Sequence, residues 1–233
     1  PFSVAGPPRH HRPGVALAEL PRIAVAVISH AHYDHLDLSS VRALHEQPGG
    51  PPEFFVPLGM GAWFEENVTD GETTHLTEMD WWEKTSISGL EVQFLPVQHW
   101  SSRTPWDANE TLWGAWGIAG SDFSFFFGGD FGYSQDLKDI GERVGGFDLA
   151  AIPIGAYEPR WFMKSHHVNP EEAVQAHRDI GATRSFGIHW GTFQGLTDEP
   201  LDEPPQKLST ARQEAGLAEK EFRVLKHGET LRP

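Results

Sequence analysis

The chain alternates short apolar runs with segments rich in polar residues, glycine and proline, and this pattern predicts many short strands mixed with a few helices. A continuous apolar run such as RIAVAVIS, at residues 22–29, is typical of a buried strand. Strands are predicted at residues 22–29, 53–57, 85–89, 90–99, 114–120, 123–130, 147–155, 183–191 and 221–228.

The best-signalled helix spans residues 169–181. Asn169 suits the N-cap, Pro170 the first helical position, and Gly181 the end of the helix, while two glutamates in the first turn favour the helix dipole. Further helices are predicted at 37–45, 58–68 and 204–215, and the Pro/Gly/His-rich residues 1–20 read as a loop. Strands mixed with helices indicate an α/β layered fold, expected as one domain over residues 1–233.

Composition and charge limit the kinds of partner that the chain is expected to bind. Lysine and arginine total 18 against 33 aspartates and glutamates, a net charge of -15, which disfavours nucleic acid and simple electrostatic docking on anionic lipid. No window holds the roughly 18 consecutive apolar residues of a transmembrane helix. The chain has no cysteine, so any metal must be bound by imidazole and carboxylate groups.

Residues of the metal-binding type follow four of the predicted strands. One such histidine alone is more often structural, but side chains at several strand ends can converge on one edge of a sheet. The set predicts a metal centre, and it is large enough for two ions that each keep an open position. The candidate ligands are His30, His32, Asp34, His35, His99, Asp130 and His189.

The segment HAHYDH, at residues 30–35, matches the H-x-H-x-D-H motif, and the later His, Asp and His follow in the order found in the metallo-β-lactamase superfamily. The resemblance implies an αββα sandwich with two zinc ions, or other divalent metals such as Mn or Fe. Asp130 would bridge the ions. By resemblance, one ion would be bound by His30, His32 and His99, and the other by Asp34, His35 and His189.

A narrower resemblance covers nearly all of the chain. Segments including PVQHWSSRTPWDANETLWGAWGI, PIGAYEPRWFM and HVNPEEAV are similar to the family of phospholipases D that hydrolyse N-acyl-phosphatidylethanolamine. The ascorbate-6-phosphate lactonase branch is less similar. Relative to the phospholipase family, the first N-terminal strands are expected to be absent before Pro1, and Phe131 stands where the family usually has Thr.

The phospholipase resemblance implies a phosphodiesterase in which a water between two zinc ions is acidified to hydroxide near neutral pH and attacks phosphorus. Asp34 would bind metal and accept a hydrogen bond from that water. His167 would face the substrate, as a catalytic or substrate-binding residue, and its alternative role is an exposed histidine before a helix.

Aromatic residues have two readings. Four residues have two possible roles: they either line a groove for acyl chains or belong to the core or an interface. Their spacing in the sequence does not separate these roles. The four are Trp106, Trp161, Phe162 and Met163. Trp113 and Trp116 are predicted in the core, and Trp81 and Trp82 are expected to be structural. The remaining histidines are predicted as ordinary surface residues: His10, His11, His45, His75, His166, His177 and His227.

Two other functions stay open, a lactonase or other small-molecule hydrolase of the same fold and a non-catalytic metal-binding protein. A diiron redox role is disfavoured because that branch has Glu where this chain has His32. The phospholipase resemblance further suggests a homodimer and peripheral contact with a membrane. A cytoplasmic or peripheral membrane location is expected, and because the chain begins at Pro1 the sequence leaves a removed signal peptide open.

Overall fold

Two β-sheets face each other at the centre of the computed structural model, which describes residues 6–69 and 75–232. In the described residues, the smaller sheet is parallel and has the order β1-β2-β3. Its strands are β1 (Val25–Val27), β2 (Glu53–Pro57) and β3 (Leu76–Met79).

The larger sheet is mixed. Its strands run in the order β4 to β10, antiparallel from β4 to β7 and parallel from β7 to β10. They are β4 (Lys84–Ile87), β5 (Leu90–Leu95), β6 (Ala115–Ala119), β7 (Ser124–Phe127), β8 (Phe147–Pro153), β9 (Ala182–Ile188) and β10 (Phe222–Val224).

Helices cover the outer faces of the two sheets. A short 3-10 helix, Leu17–Glu19, precedes β1. The α-helices are α1 (Leu38–His45), α2 (Gly61–Asn67), α3 (Asp136–Val144), α4 (Arg160–Met163), α5 (Pro170–Asp179) and α6 (Glu203–Glu214). No helix in the described part of the chain combines the length and apolar character needed to cross a bilayer.

Alternation along β2 shows how the layers are held together. Phe54 packs in a core with Phe64 of α2, whereas Phe55 points the other way and packs with Phe94 and Trp116 of the larger sheet. On the far side of the larger sheet, a third core joins its strands to residues of α3, α5 and α6. The layers therefore follow the order helix, sheet, sheet, helix, and the predicted αββα sandwich is confirmed.

The element predictions were correct for the main strands and for α5, whose capping box pairs Asn169 with Glu172. The first strand is shorter and less buried than predicted. Three elements of the structure have no counterpart among the predicted ones: β3, α3 and α4. The signal for α3 was present, because Leu137 and Ile140 are three residues apart and both are buried.

Several surface assignments need correction. His177 was predicted at the surface, but it is buried, its Nδ1 lies 2.7 Å from the hydroxyl of Ser185, and its ring packs on Phe222. The half-buried histidines His45, His75 and His166 also differ from the prediction. Trp116 is fully buried and Trp113 half-buried, as expected of core residues, while Trp81 and Trp82 are half-buried.

Candidate metal centre

The loop between β1 and α1 carries four of the candidate ligands. It begins where the amide of Ile28 still donates to the carbonyl of Phe55 on β2, and it ends at Asp37, whose side chain caps α1 by accepting from the amide of Ser40. Within the loop, the amides of His35 and Leu36 both donate to the carbonyl of His32. This turn folds the loop back, so that residues early and late in it approach the same point.

Three histidines form the first cluster of donor atoms, His30, His32 and His99. Nε2 of His30 lies 2.8 Å from Nδ1 of His32, and Nε2 of His99 lies 3.4 Å from that same Nδ1. His30 and His99 are buried, so their ring nitrogens are screened from bulk water. Three imidazole nitrogens converging from two separate loops form a set that suits a divalent transition metal.

The second cluster adjoins the first and contains Asp34, His35, Asp130 and His189. Oδ2 of Asp130 lies 3.0 Å from Nε2 of His35 and 3.2 Å from Nε2 of His189. Oδ2 of Asp34 lies 3.5 Å and 3.3 Å from the same two nitrogens. Each of the predicted strand ends therefore delivers its ligand to one region, and the structure brings all seven candidate ligands together.

Neighbouring groups orient two of the histidine rings. Nδ1 of His99 donates to the carbonyl of His166 at 2.9 Å, which leaves the lone pair of His99 on Nε2 toward the cluster. The hydroxyl of Ser29 lies 3.0 Å from Nδ1 of His30 and likewise leaves its Nε2 to the cluster. Such partners of the remote ring nitrogen are characteristic of metal-binding histidines.

Charge is concentrated at Asp130. Burial alone would raise the pKa of its carboxyl group, but His189 and His35 beside it lower that pKa well below the usual range. Burial would lower the pKa of His35, yet Asp130 and Asp34 raise it to about 10. Burial lowers the pKa of His99 to about 3. The centre thus holds one buried carboxylate, that of Asp130, beside imidazoles whose pKa values are shifted in opposite directions.

The unpaired atoms fit a metal. Among the described residues, Oδ1 of buried Asp130 has no hydrogen-bond partner, and Nε2 of His35 approaches two carboxylates without hydrogen-bond geometry. Burying an ionised carboxylate is costly unless a cation compensates it. Buried ligand atoms left unpaired within such a crowded group are expected around a shared divalent cation.

His167 lies in the same region, directly before α5. Its ring is 5.5 Å from that of His189 and 5.3 Å from that of His99, and its Nδ1 is 3.9 Å from Oδ2 of Asp130. Its carbonyl accepts from Arg160 of α4 at 2.8 Å, which fixes the backbone there. Burial lowers the pKa of His167 to about 4, so the imidazole is neutral near pH 7.

A cavity of about 240 Å³ opens beside the centre. Asp34 and His189 form part of its wall, and Phe193 and Leu196 form an apolar part. Arg9, from the segment that the sequence analysis treated only as a loop, also lines it. Nothing in the local sequence marks Arg9, because Phe193, the ring it packs on, lies 184 positions further along the chain (193 − 9).

The predicted substrate-binding aromatics lie elsewhere. Trp161 and Phe162 project from α4 with 86% and 59% of their surface exposed, and neither lines this cavity. Trp106 is 83% exposed in the loop after β5. Trp100 follows His99 in the same loop. The centre of its ring lies 4.4 Å from that of the His32 ring, so Trp100 lies at the edge of the metal centre.

Comparison with known proteins agrees with the architecture. A family model described as a beta-lactamase superfamily domain matches residues 2–190. The chain is 45% identical over 213 residues to N-acyl-phosphatidylethanolamine-hydrolyzing phospholipase D 1 of Caenorhabditis elegans, which covers 88% of this chain and 59% of that protein. It is 33% identical over 222 residues to the mitochondrial N-acyl-phosphatidylethanolamine-hydrolyzing phospholipase D of Saccharomyces cerevisiae, covering 92% of this chain and 46% of that protein.

Solved structures share the fold at lower identity. Igni18, a metallo hydrolase of the archaeon Ignicoccus hospitalis, superposes with a TM-score of 0.67 at 21% identity, covering 90% of this chain and 79% of that chain. At this identity the likeness concerns the fold alone. The chain spans 59% and 46% of the lengths of the two curated relatives above, so roughly half of each lies outside the match.

Proposed function

The chain belongs to the metallo-β-lactamase superfamily, and on that basis we propose that it is a dinuclear zinc phosphodiesterase of phospholipase D type. Its substrate would be N-acyl-phosphatidylethanolamine or a similar glycerophospholipid, cleaved to phosphatidic acid and an N-acylethanolamine. The observation that carries the proposal is the pair of adjoining donor clusters at Asp130, in a chain 45% identical to a phospholipase of this kind.

Two zinc ions would share this centre. The first would be held by His30, His32 and His99, the second by Asp34, His35 and His189, with Asp130 between them. When bound, such ions lower the pKa of water and offset the charge of a phosphoryl group. Locally concentrated positive charge also favours an anionic substrate in a chain whose net charge is -15.

Two side chains of the centre are suited to proton handling. The carboxylate of Asp34 is the more exposed of the two in the centre, so it can accept a hydrogen bond from an attacking water. The imidazole of His167 is neutral and its ring lies 5.3 Å from that of His99, so it can donate to a phosphoryl oxygen or to the leaving oxygen of a substrate bound at the cluster. We propose Asp34, in addition to its metal-binding role, and His167 as the catalytic residues.

Exposed aromatics support contact with a lipid surface. Trp161 and Phe162 leave most of their apolar area in solvent on α4, the helix whose Arg160 holds the backbone of His167. Tryptophan at a lipid boundary can bury its ring and keep its N–H solvated. We propose that this helix contacts the membrane or the acyl chains of the substrate, close to the reacting centre.

A second candidate function is a lactonase or other hydrolase of small phosphorylated molecules. The cavity favours it, because about 240 Å³ is smaller than the roughly 300–1,000 Å³ of a pocket for a drug-sized ligand. A lipid would have to leave its acyl chains outside this cavity, whereas a small phosphorylated lactone would fit within it. The same donor clusters would serve attack on a carbonyl group.

The deciding experiment is hydrolysis of N-acyl-phosphatidylethanolamine in detergent micelles by the zinc-loaded protein. Asp130→Asn is the inactive control, and Asp122→Asn, an exposed carboxylate beside Ser121, is the matched control for loss of one charge. We expect turnover that Asp130→Asn abolishes and Asp122→Asn retains. Absence of lipid turnover with two zinc ions bound, together with cleavage of a phosphorylated lactone, would replace the phospholipase by the second candidate.

A further inference from the structure

Arg9 is the cation that the cavity beside the metal centre presents to a ligand. It lines the same cavity of about 240 Å³ as Asp34 and His189, on a wall completed by Phe193. The proposed metal-binding and catalytic roles make no use of it. If the metal centre takes the phosphoryl group, as proposed, Arg9 is placed to bind a second anionic group of the same substrate.

The backbone around Arg9 holds it in place. The segment at Pro8–His10 pairs with residues 192–194: the amide of His10 donates to the carbonyl of Thr192 at 2.7 Å, and the amide of Gln194 donates to the carbonyl of Pro8 at 3.0 Å. The guanidinium carbon of Arg9 also lies 5.5 Å from the centre of the Phe193 ring. These contacts fix the backbone at Arg9 and place its exposed guanidinium beside Phe193, which lowers part of the entropic cost of binding.

No carboxylate neutralises Arg9 within the described residues, where it forms no ion pair. Glu199, an acid on the same cavity wall, is fully engaged elsewhere. Its Oε1 accepts from the amides of Ala156 at 2.6 Å and Tyr157 at 3.3 Å, and its Oε2 accepts from the amide of Glu158 at 3.0 Å. The guanidinium donors of Arg9 are therefore left for a ligand.

We propose that Arg9 is a specificity-determining residue that binds a carboxylate on the head group of the substrate. The inference rests on the proposed function, because the phosphodiester itself is assigned to the metal centre. Guanidinium groups match the two oxygens of a carboxylate. Arg9 lies on the wall of a cavity that also contains Asp34 and His189 of the centre, so a carboxylate on the head group can reach it while the phosphodiester stays at the centre. The preferred substrates are then phospholipids whose amide head group carries a carboxylate, such as N-acyl-phosphatidylserine, over the uncharged amide of N-acyl-phosphatidylethanolamine.

The kinetic test compares these two lipids, which differ only in the carboxylate. In the zinc-loaded protein we expect kcat/KM to be higher for the carboxylate-bearing lipid. Arg9→Gln should lower the ratio of the two kcat/KM values roughly tenfold or more, since a hydrogen bond to a charged group is lost. Arg12→Gln, which removes an exposed cation from the same segment without touching the cavity, should leave the ratio unchanged.

A second variant guards against misfolding. Arg9→Lys keeps the charge but loses the planar fork of donors, so its ratio should fall between those of the wild type and Arg9→Gln. Equal ratios in all variants would overturn the proposal and assign Arg9 to packing against Phe193. Zinc content and melting temperature, measured alongside, show whether a change comes from the centre or from the fold.

A binding measurement separates this proposal from the proposed function. The probes are two phosphonates in which carbon replaces the scissile oxygen, one with a carboxylate on its head group and one without, titrated calorimetrically into the zinc-loaded protein. Arg9-dependent preference for the carboxylate without cleavage of either lipid would support the role of Arg9 and reject the phospholipase. Lipid cleavage with no Arg9-dependent preference in binding would support the phospholipase and reject the role of Arg9.

Discussion

Nη1 of Arg103 lies 2.9 Å from the carbonyl oxygen of Leu36, across a sequence separation of 67 residues. The same nitrogen donates to the carbonyl of Ala31 at 2.8 Å, and the guanidinium lies over the ring of Tyr33 at 4.1 Å. Arg103 therefore ties together two points of the loop that carries His32, Asp34 and His35. This half-buried arginine donates to two carbonyls of the ligand loop and lies over the ring of Tyr33, so it fixes the shape of that loop.

We expect Arg103→Gln to weaken zinc binding by roughly 10- to 100-fold, the usual effect of removing an outer partner of metal ligands. The measurement is competition for zinc against a chelating dye. Arg42→Gln is the matched control, because Arg42 also bonds a backbone carbonyl, that of Asn67, but outside the ligand loop. Equal zinc affinity in the wild type and Arg103→Gln would show that the loop keeps its shape without this arginine.

Removal of metal should destabilise the protein. Without a cation, the buried carboxylate of Asp130 is compensated, among the residues the structure describes, by imidazoles alone. A metal present at 1,000 times its dissociation constant stabilises the folded state by about 4 kcal/mol. For a chain of this size we expect a chelator to lower the melting temperature by about 10 °C, measured by scanning calorimetry and reversed by zinc.

The control for metal removal is Asp130→Asn, which should show a much smaller shift with chelator because its metal site is already impaired. An unchanged melting temperature, with loss of metal verified by mass spectrometry, would mean that metal binding contributes little to the stability of the fold.

Local patterns predicted most of the architecture and the candidate ligands, since both follow from features within a few residues. His99, Asp130 and His189 each follow an apolar run, and strand ends in one sheet meet at a common edge. Arg103 and Arg9 escaped prediction because their partners are 67 and about 180 residues away, and no periodicity reports such contacts. The candidate ligands themselves stay a prediction until metal is measured.

Phe131 shows a different limit of prediction from sequence. This residue departs from the family pattern beside Asp130, and its ring is fully buried in the core that joins the larger sheet to its helices. Its carbonyl accepts from the amide of Val168, which steadies the backbone beside His167. The side chain therefore contributes packing, whereas its backbone serves the site.

Phe131→Thr should destabilise the protein by about 3 kcal/mol, because it empties a large buried volume and buries a hydroxyl group. Denaturant unfolding of the zinc-loaded protein measures the loss. Phe131→Leu is the control, expected to cost less because it remains apolar and fills more of the space. We expect zinc stoichiometry to be unchanged in both variants, and loss of zinc from Phe131→Thr would instead assign the side chain to the support of Asp130.

His177 makes the stability of the fold depend on pH. Its place on α5, four residues after Ala173 and three after Val174, puts it on the buried face of the helix, and burial lowers the pKa of its imidazole. The unfolded chain then binds the proton more readily than the folded one, near its ordinary pKa of about 6.5. The contribution of His177 to the free energy of unfolding is therefore complete above about pH 6.5. It decreases as the pH falls below that value.

The variant His177→Gln removes this titration. At pH 7.5 it should cost about 1 kcal/mol through the altered hydrogen bond to Ser185. Below pH 6.5 the free energy of unfolding of the wild type, relative to that of His177→Gln, should fall by at most about 1.4 kcal/mol per pH unit, because one proton is involved. Urea unfolding at several pH values measures the difference, in which the histidines common to both proteins cancel.

Ser185→Ala, which keeps the buried imidazole, should lose stability but retain the pH dependence. Parallel curves for the wild type and His177→Gln would show that His177 is protonated as readily in the folded chain as in the unfolded one.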